Sequence, residues 1–333
     1  MRRTPCFAAL VPVVLSLAAG VATAQSKSQP TDNTPRQEQP SKQTGPRIDL
    51  RPRFKVGQEI HFKMSMTSSG KQTAPAATPG EKPTESAQSM SQEIGLTLKV
   101  KETNKETGST LDLVYDSFKI NMKTPDGQDV TFDSNAKKSD DPMADILGPL
   151  IGLTLTLKMD KDGNITTVNS GGGAGDISSL LGGASGLSSF TGADVVKNLF
   201  GPVMTTRKGA GEARVGESWT NEDLIDAPYG KMKLSTTQTL SSVRGGIATI
   251  DLKGRFDLMP SSSTSPIPGI KDSSYYGKTL WNTELGILDE MTMKQHIAVD
   301  EGKSNGKSVN DLNVTVKRTT GGSERGPSAK SPR

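Results

Sequence analysis

Cysteine is nearly missing from this chain: Cys6 is the single one in 333 residues. It lies within a segment that reads as removable, so the mature chain can form no disulfide, no thiolate metal site and no cysteine nucleophile. Histidine is almost as scarce, with His61 and His296 the only two. Aromatic residues make up 4% and hydrophobic residues 32% of the chain, both low for a globular protein. Charge of one sign is lacking too: the formal net charge is +4, and loss of Arg2 and Arg3 would leave +2. Nucleic-acid binders usually carry a clustered basic face, and none is visible here. The longest apolar run, Phe7 to Ala19, has 13 residues. Crossing a bilayer as a helix takes about 20, so a retained transmembrane segment is not expected.

That short run has another use. Arg2 and Arg3 precede it, Ala22-Thr23-Ala24 follows it, and the chain turns polar at Gln25. A basic start, a short apolar stretch and a small-x-small end are the three parts of a secretory signal, with cleavage expected after Ala24. Gln25 stands where lipid attachment would need a cysteine, and Cys6 comes too early. An exported protein, periplasmic or secreted, is therefore expected. Residues 25–49 and 319–333 are rich in Ser, Pro, Thr and Lys with almost no large apolar side chains, and read as a disordered leader and tail.

Between them the dominant pattern is alternation with period two, which sends successive side chains to opposite faces of a sheet. Ile60, Phe62, Met64 and Met66 show it first. Ile94 to Val100, Leu111 to Tyr115 and Phe118 to Met122 repeat it. Hairpins are expected at Pro125-Asp126-Gly127 and at Asp160-Lys161-Asp162-Gly163, where glycine supplies a positive φ. Later strands centre on Met232–Thr239, Ala248–Leu258, Tyr276–Trp281, Ile287–Val299 and Leu312–Val316. Residues 68–88 read as a hairpin loop and 169–189 as a Gly/Ser-rich insert. Thr191 is placed to cap one short helix running through Gly201.

The fold class expected is mainly β: long antiparallel strands in a curved sheet or half-barrel. A short repeat suggests two similar halves, because Lys55-Val56-Gly57-Gln58-Glu59 recurs as Arg214-Val215-Gly216-Glu217-Ser218. The turn at residues 160–163 likewise matches Thr283-Glu284-Leu285-Gly286. The domain then covers residues 50–318, with halves 50–168 and 212–318 joined by the insert and helix of 169–211.

Val56-Gly57, Tyr115-Asp116-Ser117, the hairpin Lys158 to Gly163 and Val215-Gly216-Glu217-Ser218-Trp219 together resemble a family of exported bacterial proteins catalogued only as a domain of unknown function. The likeness runs from about Phe54 to Val316. It implies an exported β-rich domain and carries no catalytic residues. The curved sheet such proteins suggest is similar to the half-barrels of periplasmic lipoprotein carriers, which hold acyl chains on a concave apolar face.

No constellation in the sequence demands a chemistry, so no catalytic, cofactor-binding or metal-binding residues and no cofactor are assigned, and no enzyme is expected. Both histidines fall on the polar phase of their strands. Asp160, Asp162 and Asn164 are spaced like calcium ligands, but Gly163 comes too early and no glutamate closes the loop; the hairpin turn explains them better. Asp140, Asp141 and Asp145 read as a solvated acidic loop. Methionine gives the one positive hint. Met64, Met66, Met122, Met159, Met232, Met291 and Met293 lie in expected strands, mostly on the apolar phase. Flexible thioethers suit either a face that adapts to a lipid or other apolar small molecule, or a core short of aromatics. A non-enzymatic binding or carrier module is the first functional expectation, and a cell-envelope structural or interaction domain the second.

Overall fold

A computed structural model describes residues 45–74, 82–136, 144, 147–170, 193–204, 206, 211–227, 230–259, 269–300 and 306–319. The signal segment with Ala24, most of the leader, the Gly/Ser-rich insert, the acidic residues 140, 141 and 145 and the tail beyond Thr319 lie outside them. In chain order the elements are β1 (Ile48–Asp49), β2 (Glu59–Ala74), β3 (Thr84–Asn104), β4 (Gly108–Lys123), β5 (Asp129–Asp133), a 3-10 turn (Gly148–Leu150), β6 (Thr154–Met159) and β7 (Ile165–Ser170). Then follow α1 (Ala193–Met204), β8 (Glu212–Ala213), β9 (Ser218–Ala227), β10 (Gly230–Arg244), β11 (Ile247–Leu258), β12 (Gly269–Asn282), β13 (Ile287–Asp300) and β14 (Lys307–Thr319).

Twelve of these strands make one antiparallel sheet in the order β7-β6-β4-β3-β2-β14-β13-β12-β11-β10-β9, with β5 also paired to β4. The first and last parts of the chain meet at its centre, where β14 pairs with β2 from Lys307↔Thr73 to Thr319↔His61. The sheet is curved and does not close, since β7 and β9 do not pair with each other. Its curvature has a measurable consequence. A 12-residue helix is about 18 Å long, yet α1 contacts both β7 at the edge and β13, six strand spacings or about 29 Å away on a flat sheet. The curl of the strands around the helix brings both within its reach.

The inward phase is the apolar one. Ile60, Phe62 and Met64 of β2, Leu96, Leu98 and Val100 of β3, and Leu312, Val314 and Val316 of β14 are all buried and share one core with Val196, Phe200, Val203 and Met204 of α1. The outward phase is polar and carries cross-strand ion pairs such as Lys99–Glu59 at 3.1 Å, each worth a few tenths of a kcal/mol to about 1. Among the described residues no helix is long and apolar enough to cross a membrane.

On β4 the apolar phase jumps from Tyr115 to Phe118. The cause is a bulge: Leu96 faces Tyr115 and Gly95 faces Ser117, leaving Asp116 as the extra residue. Both aromatic rings therefore point inward, with centroids 5.4 Å apart.

At one end of the sheet, here the lower end, lie the β3–β4, β6–β7, β10–β11 and β12–β13 turns and the starts of β2 and β9. The turns before β2 and β9 match bond for bond. Gln58 N–H donates to Lys55 O and Gly57 N–H to Val100 O; Glu217 N–H donates to Arg214 O and Gly216 N–H to Leu240 O. In each, a side chain closes the turn, Gln58 Oε1 on Lys55 N–H at 3.1 Å and Glu217 Oε2 on Arg214 N–H at 2.9 Å. The glycines have φ of 79° and 86°, the left-handed value that the third position of such a turn requires.

Two expectations need correction. Residues 68–88 are not simply a loop: β2 runs on to Ala74 and β3 begins at Thr84, paired from Thr67↔Ser91 to Ala74↔Thr84. The polar side chains here give no alternation, but β14, paired to β2 from Lys307↔Thr73 to Leu312↔Ser68, holds the backbone extended. The end of the presumed leader is also structured, since Ile48 and Asp49 pair with Ala213 and Glu212 in a small separate sheet.

Candidate functional site

The inner face changes character from the lower to the upper end. Three successive rungs of the sheet mark the change. The first runs Gln92, Met66, Val314, Met293, Gly277 across β3, β2, β14, β13 and β12. The second runs Met90, Ser68, Leu312, Gln295, Tyr275 and the third Gln88, Gly70, Asn310, Ile297, Ser273. Below them the lining is apolar; here methionines alternate with neutral carboxamides, and no residue on these rungs is charged.

Two of the carboxamides are unusual. Gln92 is 1% exposed and Gln295 4%. Neither Nε2 nor Oε1 of Gln92 has a hydrogen-bond partner, nor does Nε2 of Gln295. A buried amide left unpaired costs on the order of 1–3 kcal/mol of stability. Nearby, a side chain at Gly70 would meet Asn310 Oδ1 at 3.1 Å and Gln88 Nε2 at 3.3 Å. The absent side chain thus lets two further amides reach across the strand between them.

The structure brings part of the methionine set together. Met64 pairs with Val316, which pairs with Met291; Met66 pairs with Val314, which pairs with Met293. These four occupy adjacent rungs of β2 and β13. Met122 stands opposite Met90, one strand further on. Met159, near the lower end of β6, and Met232, at the far end of β10, lie apart from the group. Met64, Met159, Met232, Met291 and Met293 are buried, while Met66, Met90 and Met122 are half-buried. Met90, Gln92 and Gln295 were not singled out by sequence. For the two glutamines the signal was a polar residue on an apolar phase: Gln92 falls in step with Ile94, and Gln295 with Met293 and Ile297.

The outer face carries the histidines, as their phase implies, but both have partners. His296 Nδ1 lies 2.7 Å from Asp311 Oδ1, with Asp272 Oδ2 at 3.9 Å from Nε2. His61 Nδ1 lies 2.8 Å from Thr97 Oγ1, which donates to Asp116 Oδ2 at 2.6 Å. The bulge at Asp116 turns this carboxylate outward to receive the bond. Since the one hydroxyl proton of Thr97 goes to Asp116, His61 Nδ1 is the donor in the other bond. This is the opposite of a histidine drawing a proton from a nucleophile. The two histidines are also far apart. They stand opposite Thr319 and Asp311 on β14, eight residues or roughly 27 Å along one strand.

The acidic turn of residues 160–164 is used locally. Asp160 Oδ1 accepts from the backbone N–H groups of Asp162 and Asn164, both at 2.9 Å, and its Oδ2 from Asn164 Nδ2 at 2.9 Å. Among the described residues no group of three or more histidine or carboxylate side chains is gathered to hold a metal. At the lower end Asp49 accepts from Arg51 and Arg53. Burial raises the Asp49 carboxyl, but the hydrogen bonds from the Arg51 side chain and backbone and from Arg53 outweigh it and hold the group below its ordinary value. Burial pushes the Tyr115 phenol well above its ordinary value.

A family model described as "Family of unknown function (DUF6263)" matches residues 106–176, which span β4 to β7. No curated protein matches the chain. Among solved structures, the chain is similar to "DynF from the Dynemicin Biosynthesis Pathway of Micromonospora chersina", with 6% identity, 86% of this chain and 92% of that one covered, and a TM-score of 0.19. It is also similar to a chain described under "Asymmetric conductivity of engineered proteins", with 9% identity, 78% and 100% covered, and a TM-score of 0.21. At these TM-scores neither likeness carries an argument about function.

Proposed function

We propose that this is an exported, non-enzymatic binding or carrier module that takes an apolar ligand or lipid on the inner face of its curved sheet. The observation that carries the proposal is the grouping of Met64, Met66, Met291 and Met293 on adjacent rungs, with half-buried Met90 and Met122 beside them. Unbranched thioethers repack around differing apolar shapes more readily than branched side chains do. Export rests on the Arg2–Ala24 pattern, and the absence of an enzymatic role on the outward direction and separation of the two histidines. The matched turns at Gly57 and Gly216 support two similar halves, residues 50–168 and 212–318, as the plan of the domain.

A cell-envelope structural or interaction domain is the competing reading. It draws on the burial of Met64, Met159, Met232, Met291 and Met293, which a purely structural core would also produce. Titration of the purified protein with an environment-sensitive apolar dye separates the two. The carrier reading expects saturable binding, weakened at least several-fold by Met66→Lys with Met122→Lys, both at half-buried positions. Absent or unsaturable binding, or binding unmoved by the pair, would favour the structural reading.

A further inference from the structure

We infer that the upper inner face selects a neutral amide group on an apolar chain, and that Gln92 is the residue that recognises it. The inference rests on the carrier reading and narrows its ligand. Gln92 presents both a donor and an acceptor, and both are unpaired although the side chain is 1% exposed. A group that satisfies both must itself donate and accept, as an amide does through its N–H and C=O. An ester, an ether or a carboxylate would leave the Oε1 acceptor of Gln92 without a donor.

Neutrality of the surroundings points the same way. No arginine, lysine or carboxylate stands on the three rungs around Gln92, so a charged head would be buried without a counter-charge, at high cost. Gln295, with its unpaired Nε2, offers a donor to a second carbonyl oxygen. The notch at Gly70, crossed by the Asn310 and Gln88 amides, adds donors and acceptors towards the upper end. Met66 and Met90 flank Gln92 on the sheet and are half-buried. They supply the apolar surface for the chain, and their flexibility gives the ligand a way to the amide without moving the backbone.

A structural explanation of Gln92 predicts something different. A glutamine kept for the fold would be hydrogen-bonded, and removing it would destabilise the protein. Here the unligated fold bears the cost of an unpaired amide, so Gln92→Met, close in shape and without polar hydrogens, should raise the thermal midpoint.

The test uses the full chain and two probes of equal length, decanamide and decanoate, titrated by calorimetry at pH 8. Decanamide is expected to bind about tenfold more tightly, the equivalent of a net hydrogen bond or so. Gln92→Met should abolish that preference and raise the midpoint, whereas Gln295→Met, three strands away and with no second carbonyl to meet in this probe, should leave the preference unchanged. Equal affinity for the two probes, or a preference that survives Gln92→Met, overturns the amide assignment and leaves the carrier reading standing. A lowered midpoint in Gln92→Met also overturns it, because the residue would then be structural. Failure of both probes to bind overturns the carrier reading and this inference together.

Discussion

Gly57 and Gly216 occupy the same position in two turns that make the same hydrogen bonds, one before β2 and one before β9. Each has a positive φ, and in neither would an added Cβ meet another atom within 4 Å. The cost of a side chain at either site is therefore conformational alone.

Gly57→Ala and Gly216→Ala should each lower stability by about 1 kcal/mol. The turns are separate and share no partners, so the double variant should lose about the sum. Urea denaturation of the four proteins checks both the size and the additivity.

Asp49 titrates below its ordinary value of 3.8 in the folded state, held down by Arg51 and Arg53 against its burial. With a depressed folded value, its contribution to stability is present above pH 3.8 and is lost as the pH falls through that lower value. Arg51→Ala should move the Asp49 midpoint upward in a carboxyl-detected NMR titration. An unmoved midpoint would show that Arg51 is not what holds the carboxylate.

Tyr115 behaves in the opposite sense. Burial raises its phenol above the ordinary value of 10 in the folded state, so the unfolded chain loses that proton first. Stability should be complete below pH 10 and decline as the pH rises through the folded value. In chemical denaturation between pH 9 and 11, the decline should be shallower for Tyr115→Phe.

Much of the sheet was legible because its lower half alternates cleanly. Ile60, Phe62 and Met64, or Leu96, Leu98 and Val100, declare their strand and their inward face at once. The upper half was not, since Ser68 to Ala74 and Thr84 to Ser89 are polar on both faces. There the strands are held by neighbours distant in sequence, Lys307–Asp311 above all, and no local pattern records that. The phase jump between Tyr115 and Phe118 was visible as two separate runs, and only the pairing of β3 with β4 shows it to be one bulged strand. The methionines of β2 and β13 were identifiable as inward-facing. Their meeting across β14 depends on the chain's return to its first strands, which alternation cannot specify. Gln92 and Gln295 fall in the apolar phase of their strands, but a lone polar residue there carries no signal of its own, and only their burial without partners sets them apart.

An apolar ligand held on the inner face should stay with the protein through purification. Native mass spectrometry tests it most directly, on the chain expressed with its own N-terminal segment and recovered from the periplasm of a Gram-negative host, with organic extraction of anything bound. The expected result is a population heavier than the mature chain by the mass of a discrete apolar molecule, recovered in the extract and diminished in Met66→Lys with Met122→Lys. A single mass equal to the bare chain, reproduced across preparations and unchanged by those substitutions, would contradict it.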